Sequence, residues 1–275
     1  MTLMHTPVTQ RQPLTVVKVG GKIVENDAAL ADLVKKFAAL PGRKVLVHGG
    51  GRTATDIAAR LGIETQMVGG RRVTDAEMLR VVTMVYAGLV NKNVVAQLEA
   101  AGTTALGLTG ADMDVVRAHK RTGTAVDYGF VGDVDAVDGH RLSGLIETGV
   151  VPVMAPLTHD GHGTMLNTNA DTMASEVAKA LAAVGYDVKL VFCFEFAGVL
   201  ADPADESSVI PTIDHKSFEQ LRADGTVSGG MLPKLENCLG AIDAGVAEVV
   251  ITRADLIGLP GGTSIRKNAD EIGQN

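Results

Sequence analysis

The sequence contains no tryptophan, and aromatic residues make up only 3 % of its 275 positions. Proteins that bind single-stranded nucleic acid stack the bases on aromatic side chains, so this scarcity argues against such a role. The formal net charge is −7, and the chain has no stripe or tail of basic residues that would follow a phosphate backbone. We therefore expect no nucleic-acid partner.

Cysteine and long apolar runs are also scarce. The two cysteines, Cys193 and Cys238, are too few for a disulfide framework, and Cys193 lies in an apolar run that predicts a buried thiol. No apolar run is long enough to span a bilayer, and the amino-terminal residues do not form a signal peptide. These absences predict a cytoplasmic protein without a membrane partner.

Short apolar strands alternate with helical segments along the chain. Such alternation is typical of an α/β protein with a mainly parallel sheet that is covered on both faces. A segment rich in glycine and aspartate, residues 120–138, has the character of an inserted hairpin, and the sequence from Thr74 to Glu77 predicts a capping box. The predicted strands are residues 14–19, 44–47, 104–108, 151–155, 188–193 and 248–252, and the predicted helices are residues 28–40, 53–61, 75–101, 171–183 and 235–244.

Glycines cluster at the predicted carboxyl ends of strands, where parallel α/β proteins bind ligands. Lys18 and two glycines end the first strand, and His48 and three glycines end the second. Bare backbone amides beside an ammonium group suit a phosphate. Alternatively, Lys18 reaches water at a strand end and the glycines form tight turns. Three successive glycines exceed what a turn requires, which favours ligand binding.

Three further segments carry polar residues that suit an anionic ligand. Arg71 and Arg72 precede a predicted helix, where an arginine can pair with a carboxylate through two hydrogen bonds. Residues 167–171 combine two amides with a carboxylate, and residues 229–234 join a glycine pair to a second lysine. The alternatives are a surface arginine, a helix cap and an ordinary helix start, respectively.

Together these segments favour phosphoryl transfer. Two lysines, glycine amides and a metal ion can neutralise the transferred group, and a carboxylate acceptor needs no general base. The chain has no Walker A sequence, no dinucleotide fingerprint and no protein-kinase signature, which argues against an oxidoreductase and against a protein kinase. It also lacks the Cys/His spacing of a metal site, so we expect no protein-held metal.

Eight short motifs occur in a fixed order along the chain: KVGGK at Lys18–Lys22, VHGGG at Val47–Gly51, GRRVT at Gly70–Thr74, NKN at Asn91–Asn93, LNTNAD at Leu166–Asp171, GVL at Gly198–Leu200, GGMLPK at Gly229–Lys234 and GGTSI at Gly261–Ile265. With these motifs, the chain from Leu14 to Ile265 resembles the acetylglutamate kinases of the amino acid kinase family. The resemblance implies a three-layer α/β/α sandwich and a homodimer. It further implies that ATP, carrying Mg²⁺, phosphorylates the γ-carboxylate of an N-acyl-L-glutamate in arginine biosynthesis.

The resemblance also implies residue roles. Lys18 and Lys234 would stabilise the transition state, and Asp171 would hold both lysines in place. Residues implied to bind the acyl-glutamate are Gly50, Gly51, Arg72, Asn167 and Asn169. Those implied to bind phosphate are Gly20, Gly21 and Gly230, and those implied to bind the nucleotide are Glu195, Gly198, Val199, Leu200 and Gly229.

Several finer expectations accompany this resemblance. Residues 14–272 would form one domain, with an acyl-glutamate lobe at 14–184 and an ATP lobe at 185–272, after a flexible leader at 1–13. Glu195 and Phe196 stand where the family commonly has aspartate followed by valine or isoleucine. The sequence is closer to a branch whose acyl group is succinyl instead of acetyl, and residues 113–135 are the candidate segment for that difference.

Two other readings of the chain remain open at this point. The same fold could phosphorylate free glutamate, aspartate, carbamate or a nucleoside monophosphate, although Arg72 with Asn167 favours an amino-acid dicarboxylate. A nucleotide-binding regulator without turnover is the other reading, and the two glycine-flanked lysines argue against it.

Overall fold

The computed structural model describes residues 11–268. Most of the predicted leader, residues 1–10, and the predicted domain end at 272 therefore lie outside the described residues. Gln12 and Pro13, which were assigned to the leader, belong to the first strand. No helix among residues 11–268 combines the length and the apolar character that crossing a membrane requires.

Strands and helices alternate through the described part of the chain. The strands are β1 (Gln12–Val19), β2 (Arg43–His48), β3 (Met67–Val68), β4 (Arg71–Arg72), β5 (Ala105–Leu108), β6 (Val116–Lys120), β7 (Gly132–Val137), β8 (Val151–Met154), β9 (Leu157–His159), β10 (Met165–Asn167), β11 (Tyr186–Phe194), β12 (Thr212–Ile213), β13 (Glu248–Arg253) and β14 (Thr263–Ile265). The α-helices are α1 (Gly21–Val24), α2 (Asp27–Ala39), α3 (Gly51–Arg60), α4 (Ala76–Val82), α5 (Asn91–Ala100), α6 (Gly139–Glu147), α7 (Ala170–Ala183), α8 (His215–Ala223) and α9 (Met231–Asp243). A π-helical segment, Thr83–Val90, joins α4 to α5.

The central sheet has eight strands in the order β12-β14-β13-β11-β1-β2-β8-β5. All neighbouring pairs are parallel except β13 with β14, which confirms the predicted mainly parallel sheet. Strand β1 pairs with β11 over its whole length, from Gln12 beside Tyr186 to Val19 beside Cys193. The sheet is thus continuous across the predicted lobe boundary near residue 184, and the division into two lobes stays a prediction.

Helices cover both faces of this sheet, which confirms the α/β/α architecture. Alternate residues of a strand point to opposite faces. In β1, Leu14 and Val16 are buried in the core beneath α7 and α9, whereas Val17 and Val19 are buried in the core beneath α2, α4 and α5. Lys18 follows the same alternation and therefore lies on the face that carries α7 and α9.

A smaller four-stranded sheet has the order β10-β9-β6-β7. Its strands β6 and β7 are antiparallel neighbours in the chain, so the hairpin expected in residues 120–138 is present. Strand β9 pairs with β10, which ends at Asn167. The insertion is therefore joined to the segment that leads into α7.

The predicted capping box at Thr74 is wrong. Helix α4 begins one residue later than a threonine cap requires, and the carboxylate of Asp75 accepts the hydrogen bond from Met78 N at 2.8 Å. Thr74 is fully buried, and its hydroxyl donates to the carbonyl of Arg72 at 3.0 Å. A threonine that is engaged on the inside of the molecule cannot also cap the helix, so the neighbouring aspartate does so.

Lys44 provides a buried cap for the carboxyl end of α2. Its ammonium donates to the carbonyls of Phe37 at 3.0 Å, Ala38 at 2.7 Å and Leu40 at 2.9 Å. The last carbonyls of a helix have no partner within the helix, and a cation there also stabilises the helix dipole. Burial lowers the pKa of Lys44 below its usual value.

We expect Lys44→Met to lower the free energy of unfolding by about 2–3 kcal/mol, because it leaves partly buried carbonyls without a donor. Urea unfolding followed by circular dichroism measures the change. Lys35→Met is the matched control. Lys35 is exposed on α2, the helix that Lys44 caps, and its loss should change the free energy of unfolding by less than about 0.5 kcal/mol. Equal unfolding midpoints for the two variants would contradict the stabilising role of Lys44.

Candidate active site

Two cavities lie at the carboxyl edge of the central sheet, on either side of a pair of glycine loops. The first has a volume of about 200 Å³ and is lined by the loop that follows β2. The second has a volume of about 550 Å³ and is lined by the loop that follows β1 and by the end of β11. The sequence placed its candidate residues at these same strand ends.

The two glycine loops are in direct backbone contact. Gly49 N donates to the carbonyl of Val19 at 2.9 Å. A Cβ atom on Gly49 would lie 2.9 Å from the backbone nitrogen of Gly21, a separation that real structures do not tolerate. Gly49 is therefore required for the two loops to approach, and the approach brings the two cavities together.

Behind the loops lies His48, which is fully buried at the end of β2. Its Nδ1–H donates to the carbonyl of Gly49 at 2.7 Å, and its Nε2 accepts from the side-chain amide of Asn91 at 3.1 Å. Burial lowers the pKa of His48 to about 4, so the ring is neutral at physiological pH. The ring thus supports the glycine loop and does not act as a cation.

All five residues that were predicted to bind the acyl-glutamate line the first cavity: Gly50, Gly51, Arg72, Asn167 and Asn169. Arg72 is only 8 % exposed. Its guanidinium donates to the carbonyl of Gly51 at 2.7 Å and to the hydroxyls of Thr55 at 2.9 Å and Thr65 at 3.1 Å. These contacts hold a fixed positive charge at the wall of the cavity.

Thr74 connects Arg72 to Asn167. Its hydroxyl accepts a hydrogen bond from the amide nitrogen of Asn167 at 2.9 Å while it donates to the carbonyl of Arg72. This contact fixes which end of the Asn167 amide is nitrogen. Asn169 has a different task, because its carboxamide oxygen caps α7 by accepting from Asp171 N at 2.8 Å and Thr172 N at 3.1 Å. The helix-cap alternative therefore holds for Asn169.

The second cavity brings together residues from distant parts of the sequence. Those with predicted roles that line it are Lys18, Gly20, Gly21, Glu195, Gly198 and Lys234. Lys18 Nζ lies 2.6 Å from the carboxylate of Asp171, at the start of α7. Helices α7 and α9 pack together, and a hydrogen bond from Asn237 to Ser175 at 2.9 Å joins their second turns. The first turn of α7 carries Asp171, the partner of Lys18, and the first turn of α9 carries Lys234, so two helix amino termini, each favourable for an anion, lie beside the lysines.

The two lysines converge on one aromatic ring. The Nζ atoms of Lys18 and Lys234 lie 5.6 Å and 4.1 Å, respectively, from the ring centroid of Phe194. Helix α9 begins at Met231 instead of the predicted residue 235, because Pro233 is tolerated in a first turn, where its missing N–H has no partner. Lys234 therefore belongs to that first turn and faces the cavity.

Some predicted residues are placed differently from the rest. Within residues 11–268, Asp171 forms an ion pair with Lys18 and none with Lys234. Val199 is buried in the core and lines neither cavity. Its backbone N–H donates to the hydroxyl of Thr263 at 2.8 Å and its carbonyl accepts from Ile210 N at 2.8 Å, so both of its backbone polar groups are already engaged. Leu200, Gly229 and Gly230 line neither cavity, although both glycines directly precede α9. Glu195 forms an ion pair with Lys22.

Tyr86 lines the first cavity, and no motif or spacing in the sequence predicts that position. The residue belongs to the π-helical segment Thr83–Val90, and its ring packs so closely on Gly50 that a Cβ there would lie 3.1 Å from the ring. Burial raises its pKa. Regular helical spacing does not predict which residues a π-helix turns inward, because the wider turn changes the periodicity.

Neither cysteine takes part in this chemistry as a nucleophile. Both are buried, and burial raises the pKa of each thiol to about 12. A thiol with so high a pKa carries almost no thiolate at neutral pH and is inert.

Paired lysines and bare glycine loops at the carboxyl edge of a parallel sheet form a site whose chemistry suits a phosphate group, next to a cavity whose buried arginine suits a carboxylate. The chain belongs to the amino acid kinase family, whose sequence model matches residues 13–253.

Curated relatives narrow this further, because the chain is 64 % identical to the acetylglutamate kinase of Bacteroides fragilis over 94 % of its length and 98 % of that protein. It is also 65 % identical to the acetylglutamate kinase of Bacteroides thetaiotaomicron, over 94 % of this chain and 100 % of that one. Within the family, the chain therefore belongs with the acetylglutamate kinases.

Solved structures agree with the fold. A protein from Streptococcus mutans superposes with a TM-score of 0.75 at 28 % identity, covering 92 % of this chain and 98 % of that one. A carbamate kinase from Giardia lamblia bound to AMP-PNP superposes with a TM-score of 0.66 at 14 % identity, covering 94 % and 99 % of the two chains. At that identity the second similarity concerns the fold alone.

Proposed function

We propose that this chain is an N-acylglutamate kinase. It transfers the γ-phosphoryl group of ATP to the γ-carboxylate of an N-acyl-L-glutamate, the phosphorylation step of arginine biosynthesis. The observation that supports this best is the pairing of the two cavities, one lined by Arg72 and Asn167 and the other by Lys18 and Lys234. Cytoplasm is the proposed compartment, since ATP is supplied there.

In this mechanism the acceptor carboxylate is the nucleophile. One of its oxygens forms a bond to the γ-phosphorus as the bond from phosphorus to the bridging oxygen breaks, and ADP leaves. Lys18 and Lys234 neutralise the charge on the transferred group, and Asp171 keeps Lys18 oriented through their contact of 2.6 Å. The glycine amides donate to phosphoryl oxygens as the two loops hold both substrates in line.

The site suits a magnesium ion that enters bound to the phosphates of the nucleotide. Among residues 11–268, no three His, Cys, Asp or Glu side chains come together as ligands. Mg²⁺ keeps several waters and is commonly held by substrate phosphates with one or two carboxylates, so the phosphates of ATP would be its main ligands here. When bound, it would neutralise charge on the β- and γ-phosphates.

The reaction is tested by measuring ADP release with Mg-ATP and, in turn, N-acetyl-L-glutamate, N-succinyl-L-glutamate and L-glutamate. We expect turnover with at least one acylated substrate and much weaker turnover with L-glutamate, which lacks the acyl group. Absence of turnover with both acylated substrates would contradict the proposed function.

The choice between acetyl and succinyl remains part of the proposal, and residues 113–135 support succinyl. Val131 of this segment lines the first cavity beside Arg71. Arg121 lies near Arg71 and forms an ion pair with Asp133. Burial, followed by repulsion from Arg121, lowers the pKa of Arg71, and the carboxylate of Asp133 partly offsets this effect. Two arginines thus share one carboxylate beside the cavity, and a second carboxylate at the end of the acyl group would give Arg71 a counter-ion of its own.

We expect Arg71→Met to lower kcat/KM for N-succinyl-L-glutamate by about 10-fold or more, the scale of one lost charge-assisted contact. The same variant should change kcat/KM for N-acetyl-L-glutamate by less than about threefold, because an acetyl group offers no charge to Arg71. Steady-state kinetics with the two substrates side by side measures both values. Equal losses of kcat/KM for both substrates would contradict a role for Arg71 in recognising the acyl group.

A homodimer is also part of the proposal. Strand β5 is one of the two edge strands of the central sheet. An edge strand offers unpaired backbone groups to a second copy of the chain. Large apolar side chains are exposed on β5 and on the π-helical segment that leads into α5, the helix that packs on β5: Leu106 is 41 %, Met84 57 % and Leu89 47 % accessible. An interface through this end of the sheet would cover all three side chains.

We expect Leu89→Glu to convert a dimer of the wild-type chain into a monomer, because it places a charge in an apolar contact. Light scattering after gel filtration gives the mass directly. Leu259→Glu is the control, since Leu259 is 57 % exposed but lies away from β5. A wild-type monomer, or a dimer that survives Leu89→Glu, would contradict this interface.

A further inference from the structure

Phe194 is the residue around which the two lysines are arranged. It ends β11, and its neighbour on the same face, Phe192, pairs in register with Lys18 of β1. The rings of Phe192 and Phe194 are stacked, with centroids 5.9 Å apart and planes inclined by 9°. The buried ring of Phe192 thus supports the ring of Phe194 from behind, at the wall of the second cavity.

The two lysines have different partners. Lys18 has the carboxylate of Asp171 as its counter-ion. Lys234 has no ion-pair partner among residues 11–268, and its ammonium instead lies 4.1 Å from the centroid of Phe194. At that distance the negative face of the ring attracts the cation electrostatically.

An aromatic ring and a carboxylate differ in how much of an ammonium group's charge they leave available to a bound anion. A carboxylate holds an ammonium group but also neutralises its charge. The ring fixes the position of the ammonium through its quadrupole and has no net charge, so the full charge of Lys234 remains for an incoming phosphate. The ring also shields one side of the ammonium from water, which strengthens its attraction to an anion on the other side.

We propose that Phe194 is a positioning residue for phosphoryl transfer, which holds the ammonium of Lys234 over its ring and thereby aligns it with Lys18. This inference rests on the proposed kinase function and deepens it, since it assigns the alignment of Lys234 to an aromatic face. An apolar side chain of similar volume would fill the same space but would not attract the cation. The two cases are therefore separable by experiment.

The test is a double-mutant cycle between Phe194 and Lys234. Phe194→Leu and Phe194→Met both remove the ring and keep much of the apolar volume, whereas Phe194→Tyr keeps the ring. Each is combined with Lys234→Met, and turnover and the dissociation constant of Mg-ADP, measured by calorimetry, are determined for every variant. Phe218→Leu is the matched control, because Phe218 is buried in the same core but lies on α8, away from the ring of Phe194 and from both lysines.

We expect Phe194→Leu and Phe194→Met to lower kcat/KM for ATP by about three- to tenfold, the range of a partly desolvated cation–π contact, and Phe194→Tyr to stay within about twofold of wild type. In the Lys234→Met background most of the loss from Phe194→Leu should disappear, because the nearer of the two ammonium groups, 4.1 Å from the ring centroid against 5.6 Å for Lys18, is gone. Any loss from Phe218→Leu should be the same in both backgrounds.

Additive losses in the cycle, or a Phe194→Tyr variant as impaired as Phe194→Leu, would overturn the inference and leave Phe194 as a packing residue. A wild-type chain that turns over no acylated glutamate would instead overturn the proposed function. In that case the cycle in Mg-ADP binding still tests whether the ring acts through Lys234.

Discussion

Replacement of Lys18 or Lys234 by alanine should lower kcat by about 10²–10³, the scale for the loss of one preorganised charge partner of the transition state. Lys18 is 8 % exposed and lies 2.6 Å from Asp171, so it carries a fixed charge that water does not replace when the side chain is removed. Lys234 reaches the same cavity from the first turn of α9. The measurement is single-turnover and steady-state kinetics at saturating concentrations of both substrates.

Lys22→Ala provides the matched control for this prediction. Lys22 lines the same cavity, but it is exposed and pairs with Glu195, so its removal changes the net charge equally without removing a buried ammonium. We expect a loss of less than about tenfold for Lys22→Ala, because exposed pairs contribute little. If Lys18→Ala and Lys234→Ala both retain near-normal turnover, or lose no more than Lys22→Ala, the assigned roles are wrong.

The strands and the glycine loops could be predicted from sequence because their causes are local. Buried parallel strands have continuous apolar runs, and a ligand site needs bare backbone where such a strand ends. For that reason the sequence predicts residues that line the two cavities, such as Arg72 and Lys18. Motif order alone already linked Lys18 to Lys234, which lie more than two hundred positions apart in the sequence.

What the sequence did not predict depends on strand register and helix docking. Phe194 lies within reach of both lysines only because β11 pairs with β1 and the start of α9 reaches the same cavity. From the sequence alone, Phe194 cannot be distinguished from the other apolar residues of its strand. Tyr86 was not predicted because the wider turn of a π-helix changes which residues point towards the cavity. Thr74 was wrongly predicted to cap a helix because its buried hydroxyl instead donates to the carbonyl of Arg72.

Replacement of Arg72 should weaken the binding of the acyl-glutamate and leave the binding of ATP almost unchanged. Its buried guanidinium lies in the first cavity beside Gly51, away from the two lysines. A hydrogen-bonded charge pair contributes about 1.5–3 kcal/mol, so Arg72→Ala should raise the KM for the acyl-glutamate by about 10- to 100-fold. We expect kcat and the KM for ATP to change by less than about threefold, because uniform binding of the acceptor is lost and transition-state contacts are retained.

Two variants separate this effect from simpler causes. Arg52→Ala removes an exposed arginine from the start of α3, next to Gly51, and should leave the KM for the acyl-glutamate unchanged. Arg72→Lys keeps the charge but cannot reproduce the fork that reaches Gly51, Thr55 and Thr65 together, so it should behave like the alanine variant and not like wild type. Because Arg72 also joins α3 to the segment before β3, thermal unfolding of each variant must accompany the kinetics. A rise confined to the KM for ATP would contradict the placement of the acyl-glutamate in the first cavity.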